Sequence, residues 1–153
     1  MRAGSKGVQQ GMTLIEVLVA LLILTVGLLG AAAVQINALK YTDSSRMTSQ
    51  ASFIAYDMMD RIRANSGANS GANYTVTPPT SANPGNARDQ DLYDFTTSIV
   101  NFGGPTATGS ITLNQRVYTI TITWSDARAA NTANAQRSFV LSSRAAVDPV
   151  VTP

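Results

Sequence analysis

The first half of the chain is apolar at its start and amphipathic later, with no break between the two parts. The stretch from Val17 to Val34 contains no charged residue, and Thr25 is its one polar side chain. As a helix it would span about 27 Å, close to the ~30 Å thickness of a bilayer's hydrocarbon core. It therefore has the length and composition of a membrane-spanning helix.

Beyond this stretch, apolar residues recur every three or four positions, which is typical of a helix with one buried face. The residues of this stripe are Met47, Ala51, Ile54, Met58 and Ile62. No proline occurs before Pro78, so nothing interrupts the helical pattern. Arg61 and Arg63 suit a helix C-terminus, and Asp57 lies one turn before Arg61, where opposite charges attract. The pattern predicts one helix from Thr13 to Ala64.

The region after the predicted helix is polar and rich in small residues. Residues 66–87 consist mainly of Asn, Ser, Gly, Ala, Thr and Pro, which predicts a flexible surface loop. From Arg88 to Phe102, aspartates precede apolar residues at helical spacing. This favours a short helix, because acids stabilise a helix N-terminus.

Alternation of apolar and polar residues indicates β-structure toward the C-terminus. In Val117–Trp124, large apolar side chains alternate mainly with threonine, as in a half-buried antiparallel strand. Ser110–Leu113 is predicted to pair with it across a tight turn at Asn114-Gln115, and Ser138–Ser143 to form a third strand. The predicted fold class is α+β, with a long N-terminal α-helix packed against a small antiparallel sheet of three or four strands. Trp124 is expected in the core.

Charge is distributed unevenly along the chain. Two of the 11 lysines and arginines, Arg2 and Lys6, lie ahead of Gly11 in a segment that holds no acid. The rest of the chain therefore carries equal numbers of basic and acidic side chains. The formal charge of +2 and the pI of about 9.2 are properties of the N-terminal segment, and they do not indicate nucleic-acid binding.

The absence of cysteine and histidine excludes several kinds of chemistry. Disulfides, Cys/His metal sites, cysteine nucleophiles and Ser-His-Asp triads are all ruled out. Asp89, Asp91 and Asp94 offer oxygen ligands, but their spacing is not that of a calcium-binding EF-hand loop. We therefore expect no catalytic residue, no metal and no cofactor, and we expect that the chain is not an enzyme.

One acid, Glu16, stands directly before the apolar run. A carboxylate next to a membrane span is costly, so it needs a reason. Basic residues ahead of the span, with the bulk of the chain after it, predict a cytoplasmic N-terminus. Two ordinary interpretations are a secretory signal peptide cut near Ala31-Ala32-Ala33 and an uncut signal anchor. Glu16 counts against the first, and the second leaves the residues around Glu16 unexplained.

Those residues carry a family resemblance. Gly11-Met12-Thr13-Leu14-Ile15-Glu16, followed by the apolar run, resembles the class III signal of type IV prepilins and type II secretion pseudopilins. The resemblance implies cleavage by a prepilin peptidase between Gly11 and Met12, and N-methylation of Met12. It also implies that Glu16 pairs with the N-terminal amine of a neighbouring subunit in a fibre. Met12 stands where these proteins usually have phenylalanine.

A second resemblance extends over most of the remaining chain. Asp57–Asn65, the Gly103-Gly104-Pro105 turn and the strand from Tyr118 to Trp124 are similar, in this order, to the minor pilins of the type IV pilus modification protein PilV family. It implies a pilin-like fold and a function in initiating or modifying type IV pilus assembly. A minor pseudopilin of a type II secretion system is the nearest alternative. A membrane-anchored periplasmic binding or enzyme domain is a remote one.

The organisation implied by the resemblance has six segments. They are a leader peptide 1–11, a transmembrane and assembly helix 12–36, an amphipathic half-helix 37–65, a flexible loop 66–87, a globular β-rich head 88–146 and a loose tail 147–153. The implied partners are a prepilin peptidase, the major pilin, other minor pilins and an inner-membrane assembly platform. The implied location is the inner membrane, crossed once with the head in the periplasm, and later the pilus at the cell surface.

Overall fold

A computed structural model of the chain describes residues 11–65 and 74–145. Its elements are α1 (Leu14–Ala64), α2 (Ala87–Gly103), β1 (Thr108–Asn114), β2 (Val117–Ser125), α3 (Ala127–Ala130) and β3 (Gln136–Arg144). The predicted α+β class is confirmed, because the second half of α1 packs with a three-stranded antiparallel sheet. The chain divides into two units, Met1–Leu39 and Lys40–Pro153. The predictions for residues 1–10, for residues 66–73 of the loop and for the tail 147–153 fall outside the described ranges.

In the first unit, the apolar half of α1 has no cover from the other residues that the structure describes. Every residue from Gly11 to Leu39 is exposed, and the most apolar window of α1 has a mean hydropathy of 2.8 with none of it buried. Among the described residues, α1 is the helix long and apolar enough to cross a membrane. Exposing apolar surface to water costs about 25 cal/mol per Å², so this half of α1 requires apolar surroundings from outside the chain.

The core of the second unit lies between the second half of α1, α2 and the sheet. The core residues from α1 are Ala51, Ala55, Met58, Met59 and Ile62. The predicted apolar stripe is therefore confirmed, with Met47 and Ile54 packed against the core at its margin. Full burial of an aliphatic side chain of the size of Met or Ile stabilises the fold by about 1.5–3 kcal/mol.

The three strands form one antiparallel sheet in the order β1-β2-β3. On the central strand, Ile120 lies between Ile111 of β1 and Leu141 of β3. Ile120, Ile122 and Trp124 are fully buried, whereas the threonines that alternate with them are only partly buried on the other face. This is the period-two pattern predicted from the sequence.

The turn between β1 and β2 consists of Gln115 and Arg116, one residue later than predicted. Asn114 still pairs with Val117, so β1 extends through Asn114. The φ angles of Gln115 and Arg116 are 45° and 66°. Two successive positive φ values belong to a type I′ turn, whose twist matches that of the paired strands. The usual Asn-Gly or Asp-Gly signal is absent here, so no residue type in the sequence marks Gln115 and Arg116 as the turn.

Helix α2 is capped at both ends and packs on the sheet. The Asn86 side chain accepts a hydrogen bond from the amide of Asp89 at 3.2 Å, which satisfies a free donor of the first turn. At the other end Gly104, with φ of 82°, donates its amide to the carbonyl of Val100 at 2.9 Å. Near this end the rings of Phe102 and Trp124 meet edge to face, 5.4 Å between centroids. The predicted helix and the core position of Trp124 are confirmed.

Gly109 lets β1 approach α2 closely. A Cβ at this position would overlap the Cδ1 atom of Ile99 and lie 2.8 Å from Cε1 of Phe95. We expect Gly109→Ala to lower the free energy of unfolding by about 1–3 kcal/mol, because an added methyl group in a filled core displaces its neighbours. Fluorescence of Trp124, the one tryptophan of the chain, follows the unfolding of the detergent-solubilised protein.

Gly85→Ala is the matched control for this prediction. A Cβ at Gly85 would have one neighbouring atom within 4 Å, at an ordinary contact distance of 3.6 Å. Its unfolding free energy should stay within about 0.5 kcal/mol of the parent value, as for most surface substitutions. An equal loss in the two variants would contradict the packing explanation.

Candidate functional site

Gly11 and Met12, the predicted cleavage pair, lie just ahead of α1. Both are exposed, Met12 with 73% of its surface accessible, and neither belongs to a helix or strand. A Cβ built on Gly11 would have no atom within 4 Å. Packing among the described residues therefore does not require glycine at this position.

Thr13 caps the N-terminus of α1. Its carbonyl oxygen accepts hydrogen bonds from the amides of Glu16 at 3.0 Å and Val17 at 3.3 Å, and its Oγ1 accepts from the amide of Glu16 at 3.3 Å. A threonine N-cap followed three residues later by glutamate is the capping-box pattern. The structure shows the threonine half of this pattern, and a bond from the Thr13 amide to the Glu16 carboxylate would give Glu16 a second role beside the predicted pairing.

The Glu16 carboxylate lies in the first turn of α1 and is exposed. A negative charge at this end of a helix interacts favourably with the helix dipole, by about 0.3–1 kcal/mol. Within residues 11–65 and 74–145, Glu16 takes part in no ion pair. The carboxylate is therefore accessible to a cation supplied by another molecule.

The comparison with known families falls on this segment. Residues 6–32 match the model described as the prokaryotic N-terminal methylation motif, a type IV prepilin-like signal. This motif indicates a protein of the type IV pilin and pseudopilin class. It implies processing by prepilin peptidase and, together with the apolar half of α1, anchoring in a membrane. No curated protein and no solved structure matches the chain significantly.

A polar cluster at the C-terminal end of α1 joins it to α2. Asp91 accepts hydrogen bonds from Nη1 of Arg61 at 3.0 Å, from the hydroxyl of Tyr74 at 2.8 Å and from Nδ2 of Asn65 at 3.1 Å. Nδ2 of Asn65 also donates to the Tyr74 hydroxyl at 2.7 Å. These four residues, called the Asp91 cluster below, hold three separate parts of the chain together.

Burial and hydrogen bonding within the Asp91 cluster shift the pKa values of Arg61 and Tyr74. Burial lowers the pKa of Arg61, but its hydrogen bond to Asp91 and its interaction with Asp57 outweigh burial, so the net pKa is raised. Burial, and next the hydrogen bond to Asp91, raise the pKa of Tyr74 to about 12. Both shifts have the same physical meaning, because each group is held in its ordinary state at neutral pH: Arg61 charged and Tyr74 neutral.

The three aspartates considered as calcium ligands are used within the protein. Asp89 accepts from Arg88 at 2.7 Å, and Asp94 accepts from Gln90 at 2.8 Å and from Arg61 at 3.2 Å. In the described part of the chain, no group of three or more acidic side chains is placed to hold a metal ion. These acids stabilise α2 and its contact with α1.

Tyr74 is a core residue that the sequence did not reveal. It lies among the small polar residues assigned to the loop 66–87, yet its side chain is 99% buried, with 1% of its surface exposed. An aromatic residue within an Asn/Ser/Gly segment is the only signal that pointed to it. Its hydrogen bond to Asn65 joins the two chain positions that flank residues 66–73.

We expect Tyr74 to make stability fall at high pH. Because its pKa is higher in the folded chain than the ordinary value near 10, its contribution is complete below about pH 10 and is lost as the pH rises through about 12. The loss should amount to about 3 kcal/mol, because each tenfold difference in acid strength between the folded and unfolded chain corresponds to about 1.4 kcal/mol. Unfolding of the detergent-solubilised protein at a series of alkaline pH values measures it.

Tyr74→Phe isolates this effect from the other four of the five tyrosines. The variant should unfold more easily at neutral pH, and its stability should decline less steeply between about pH 10 and pH 12. In absorbance titrations, the last tyrosinate signal of the parent protein should be missing from the variant. Parallel declines in the two proteins would show that Tyr74 is not the group responsible.

A second group of polar contacts joins α1 to β3 and to Asp126, which directly follows β2. Ser44 is nearly fully buried and donates to Oδ2 of Asp126 at 3.0 Å, while Nη1 of Arg137 donates to its Oγ atom. Further along α1, Arg63 donates to Oγ of Ser143 at 2.7 Å. The two ends of β3 are thus each bonded to α1.

Proposed function

We propose that the chain is a minor type IV prepilin that takes part in initiating or modifying pilus assembly. The prepilin-like signal carries this proposal, because it combines an accessible Gly11-Met12 bond with a capped, uncovered apolar helix. The resemblance of Asp57–Asn65 to the end of the long helix in pilus modification proteins supports the pilus over the nearest alternative, a type II secretion pseudopilus.

In this proposal the apolar half of α1 has two successive tasks. Before cleavage it holds the chain in the inner membrane, with the N-terminus in the cytoplasm and the head in the periplasm. Cleavage by prepilin peptidase after Gly11 creates a charged amine at Met12, which is then N-methylated. Glu16 of one subunit pairs with the amine of its neighbour, as α1 leaves the lipid and packs with the helices of other minor pilins and of the major pilin on the assembly platform.

We also propose that the chain is the substrate of an enzyme and has no catalytic activity of its own. It holds no histidine or cysteine. In the described ranges, the acids of the head that are at least partly buried serve in hydrogen bonds or ion pairs: Asp89, Asp91, Asp94 and Asp126.

Mass spectrometry of the mature N-terminus tests the proposed function. The protein is expressed in cells that contain a prepilin peptidase and is isolated from their membranes. We expect a chain that starts at Met12, with a methyl group on its amine. A start at Val34 would indicate a secretory signal peptide, and an intact Met1 would indicate a simple anchor. Either result would overturn the prepilin interpretation.

Gly11→Val is the matched control. A side chain at Gly11 has no atom to meet within the chain, so the variant should fold and insert as the parent does. Its leader should nevertheless remain attached, because the added side chain obstructs the peptidase alone. Normal cleavage of this variant would show that Gly11 is not the residue recognised.

A further inference from the structure

The sheet has two outer edges, and they differ in charge and in their hydrogen bonds to α1. On β3, the side chain of Arg137 is bonded to Ser44 at one end, and Arg63 donates to Ser143 and to the carbonyl of Arg144 at the other. Charged side chains are a common feature that discourages an edge strand from further pairing. β3 carries two of them, Arg137 and Arg144, and its two ends are held to α1 by side-chain hydrogen bonds.

Within the described residues, the β1 edge has neither charged side chains nor hydrogen bonds to α1. Hydrogen-bonded and non-bonded pairs alternate along an antiparallel ladder, and the pair next to a two-residue turn is bonded. Because Asn114 pairs with Val117 across that turn, the backbone groups of Gly109, Ile111 and Leu113 point away from β2. Among residues 11–65 and 74–145, none of these outward amides or carbonyls has a hydrogen-bond partner.

β1 also lacks the usual protective features of an edge strand. Its sequence, Thr-Gly-Ser-Ile-Thr-Leu-Asn, contains no charged residue and no proline, and its pairing with β2 runs without a bulge from Thr108 to Asn114. Charges, prolines and bulges are what native proteins place on open edges to prevent pairing. The absence of all three leaves β1 able to accept another strand.

We propose that β1 pairs antiparallel with β1 of a second copy of this chain, in a register centred on Ile111. In this register the outward amide and carbonyl of Gly109 bond those of Leu113 in the other copy. The outward groups of Ile111 bond those of Ile111 in the other copy. The edge is thus complementary to itself. Ser110 then faces Thr112 of the other copy, and hydroxyl side chains form favourable cross-strand pairs. Leu113, 46% exposed in the single chain, gains a neighbouring strand.

Membrane anchoring makes a second copy a suitable occupant. A short strand pair is weak in dilute solution, but two chains held in one membrane meet at a high effective concentration. The inference rests on the proposed function in this respect only, through the anchoring of α1. The uncharged face of β1 adds no repulsion between identical copies.

Disulfide trapping tests the pairing, since the chain has no cysteine of its own. Full-length Ser110→Cys and Thr112→Cys variants with different tags are co-expressed in membranes and oxidised. These positions form a non-bonded pair in the proposed register, with Cα atoms about 4.5 Å apart, which suits a disulfide. We expect links between the two variants. Links within either variant alone would contradict the register centred on Ile111.

Ser138→Cys and Val140→Cys serve as the control pair. They have the same spacing and face the same side of the sheet, but they lie on β3, where both residues are exposed to solvent. Random collision in the membrane would link them as well as the β1 pair. Equal linking on the two strands, or none on β1, would overturn the proposal.

Charge reversal provides a second, independent readout in the uncrosslinked protein. Ser110→Lys combined with Thr112→Lys places lysine opposite lysine twice, which should reduce dimer formation roughly tenfold. The double variant with glutamate at both positions should dimerise equally poorly on its own. Mixing the lysine and glutamate variants should restore the dimer. Ser138→Lys with Val140→Lys, on β3, should dimerise as the parent does. Failure of the mixture to recover would contradict edge pairing.

The outcome is separable from that of the proposed function. Cleavage after Gly11 with no pairing of β1 would leave the prepilin proposal standing and remove this one. Pairing of β1 in a chain that keeps its leader would support the pairing proposal and contradict the prepilin proposal.

Discussion

Glu16→Ala is expected to be cleaved after Gly11 like the parent protein and yet to be almost absent from assembled fibres. The cleaved bond precedes α1, whereas in the proposed function Glu16 is needed only after cleavage, when a free amine is present to pair with it. Removing one partner of an ion pair in an apolar bundle costs about 3–5 kcal/mol, because the other charge is left unpaired. Incorporation should therefore fall by roughly a hundredfold or more.

Mass spectrometry of the membrane-bound protein measures cleavage, and quantitative immunoblotting of purified fibres measures incorporation. The two readouts separate processing from assembly. Incorporation of Glu16→Ala at the parent level would show that the carboxylate has no pairing role. Loss of cleavage would move Glu16 into the recognition step instead.

Glu16→Gln distinguishes the two roles that the structure allows for this side chain. Glutamine can serve in a capping box as glutamate does, so the N-terminus of α1 should be preserved. It cannot neutralise an amine, so a pairing role predicts that Glu16→Gln fails to enter fibres as completely as Glu16→Ala. Rescue by glutamine would assign Glu16 to helix capping with Thr13.

Asp91→Ala is expected to lower the free energy of unfolding of the head by about 3 kcal/mol. The substitution removes the acceptor shared by Arg61, Asn65 and Tyr74. Leaving a buried donor without a partner costs about 1–3 kcal/mol, and the Tyr74 hydroxyl is the most buried of the three. The contribution of Arg61 is smaller, because a third of its side chain is exposed.

Unfolding of the full chain in detergent, followed by Trp124 fluorescence, measures this loss. Asp57→Ala is the matched control, since it removes another carboxylate bonded to Arg61 at 2.9 Å, but one with a side chain that is 65% exposed. Its effect should stay below about 1 kcal/mol, as for most surface ion pairs. Comparable losses at the two positions would show that burial of the cluster does not determine its contribution.

The elements were predictable from the sequence because their signals are local. Apolar residues recur at helical spacing from Met47 to Ile62 and at strand spacing from Tyr118 to Trp124. The spacing therefore predicts both the type of element and the face that it buries. Likewise the residues from Gly11 to Glu16 are consecutive, and the spacing of an acid after a glycine can be read directly. The confirmed fold class follows from signals of this kind.

The polar contacts were not predictable because they join distant positions. Asp91 lies 30 residues from Arg61 and 17 from Tyr74, and no periodicity relates them. In the sequence, Asp91 is one of three nearby aspartates that offer oxygen ligands. Only the packing of α1 against α2 shows that it accepts hydrogen bonds from three side chains. The position of Tyr74 is hidden for the same reason, since its neighbours in sequence are small and polar, whereas in space it belongs to the apolar core and bonds Asn65 and Asp91.

The hydrogen bond between Asn65 and Tyr74 has a consequence for how this protein can vary. Side chains on the two sides of residues 66–73 are joined directly at 2.7 Å, so the two ends of this stretch are held together by a contact that includes the buried Tyr74. Lengthening such a stretch adds only about 0.6 kcal/mol for each doubling. Related chains can therefore change the size and chemistry of this stretch almost freely, and a peptide tag can be inserted there while the head and its assembly helix keep their structure.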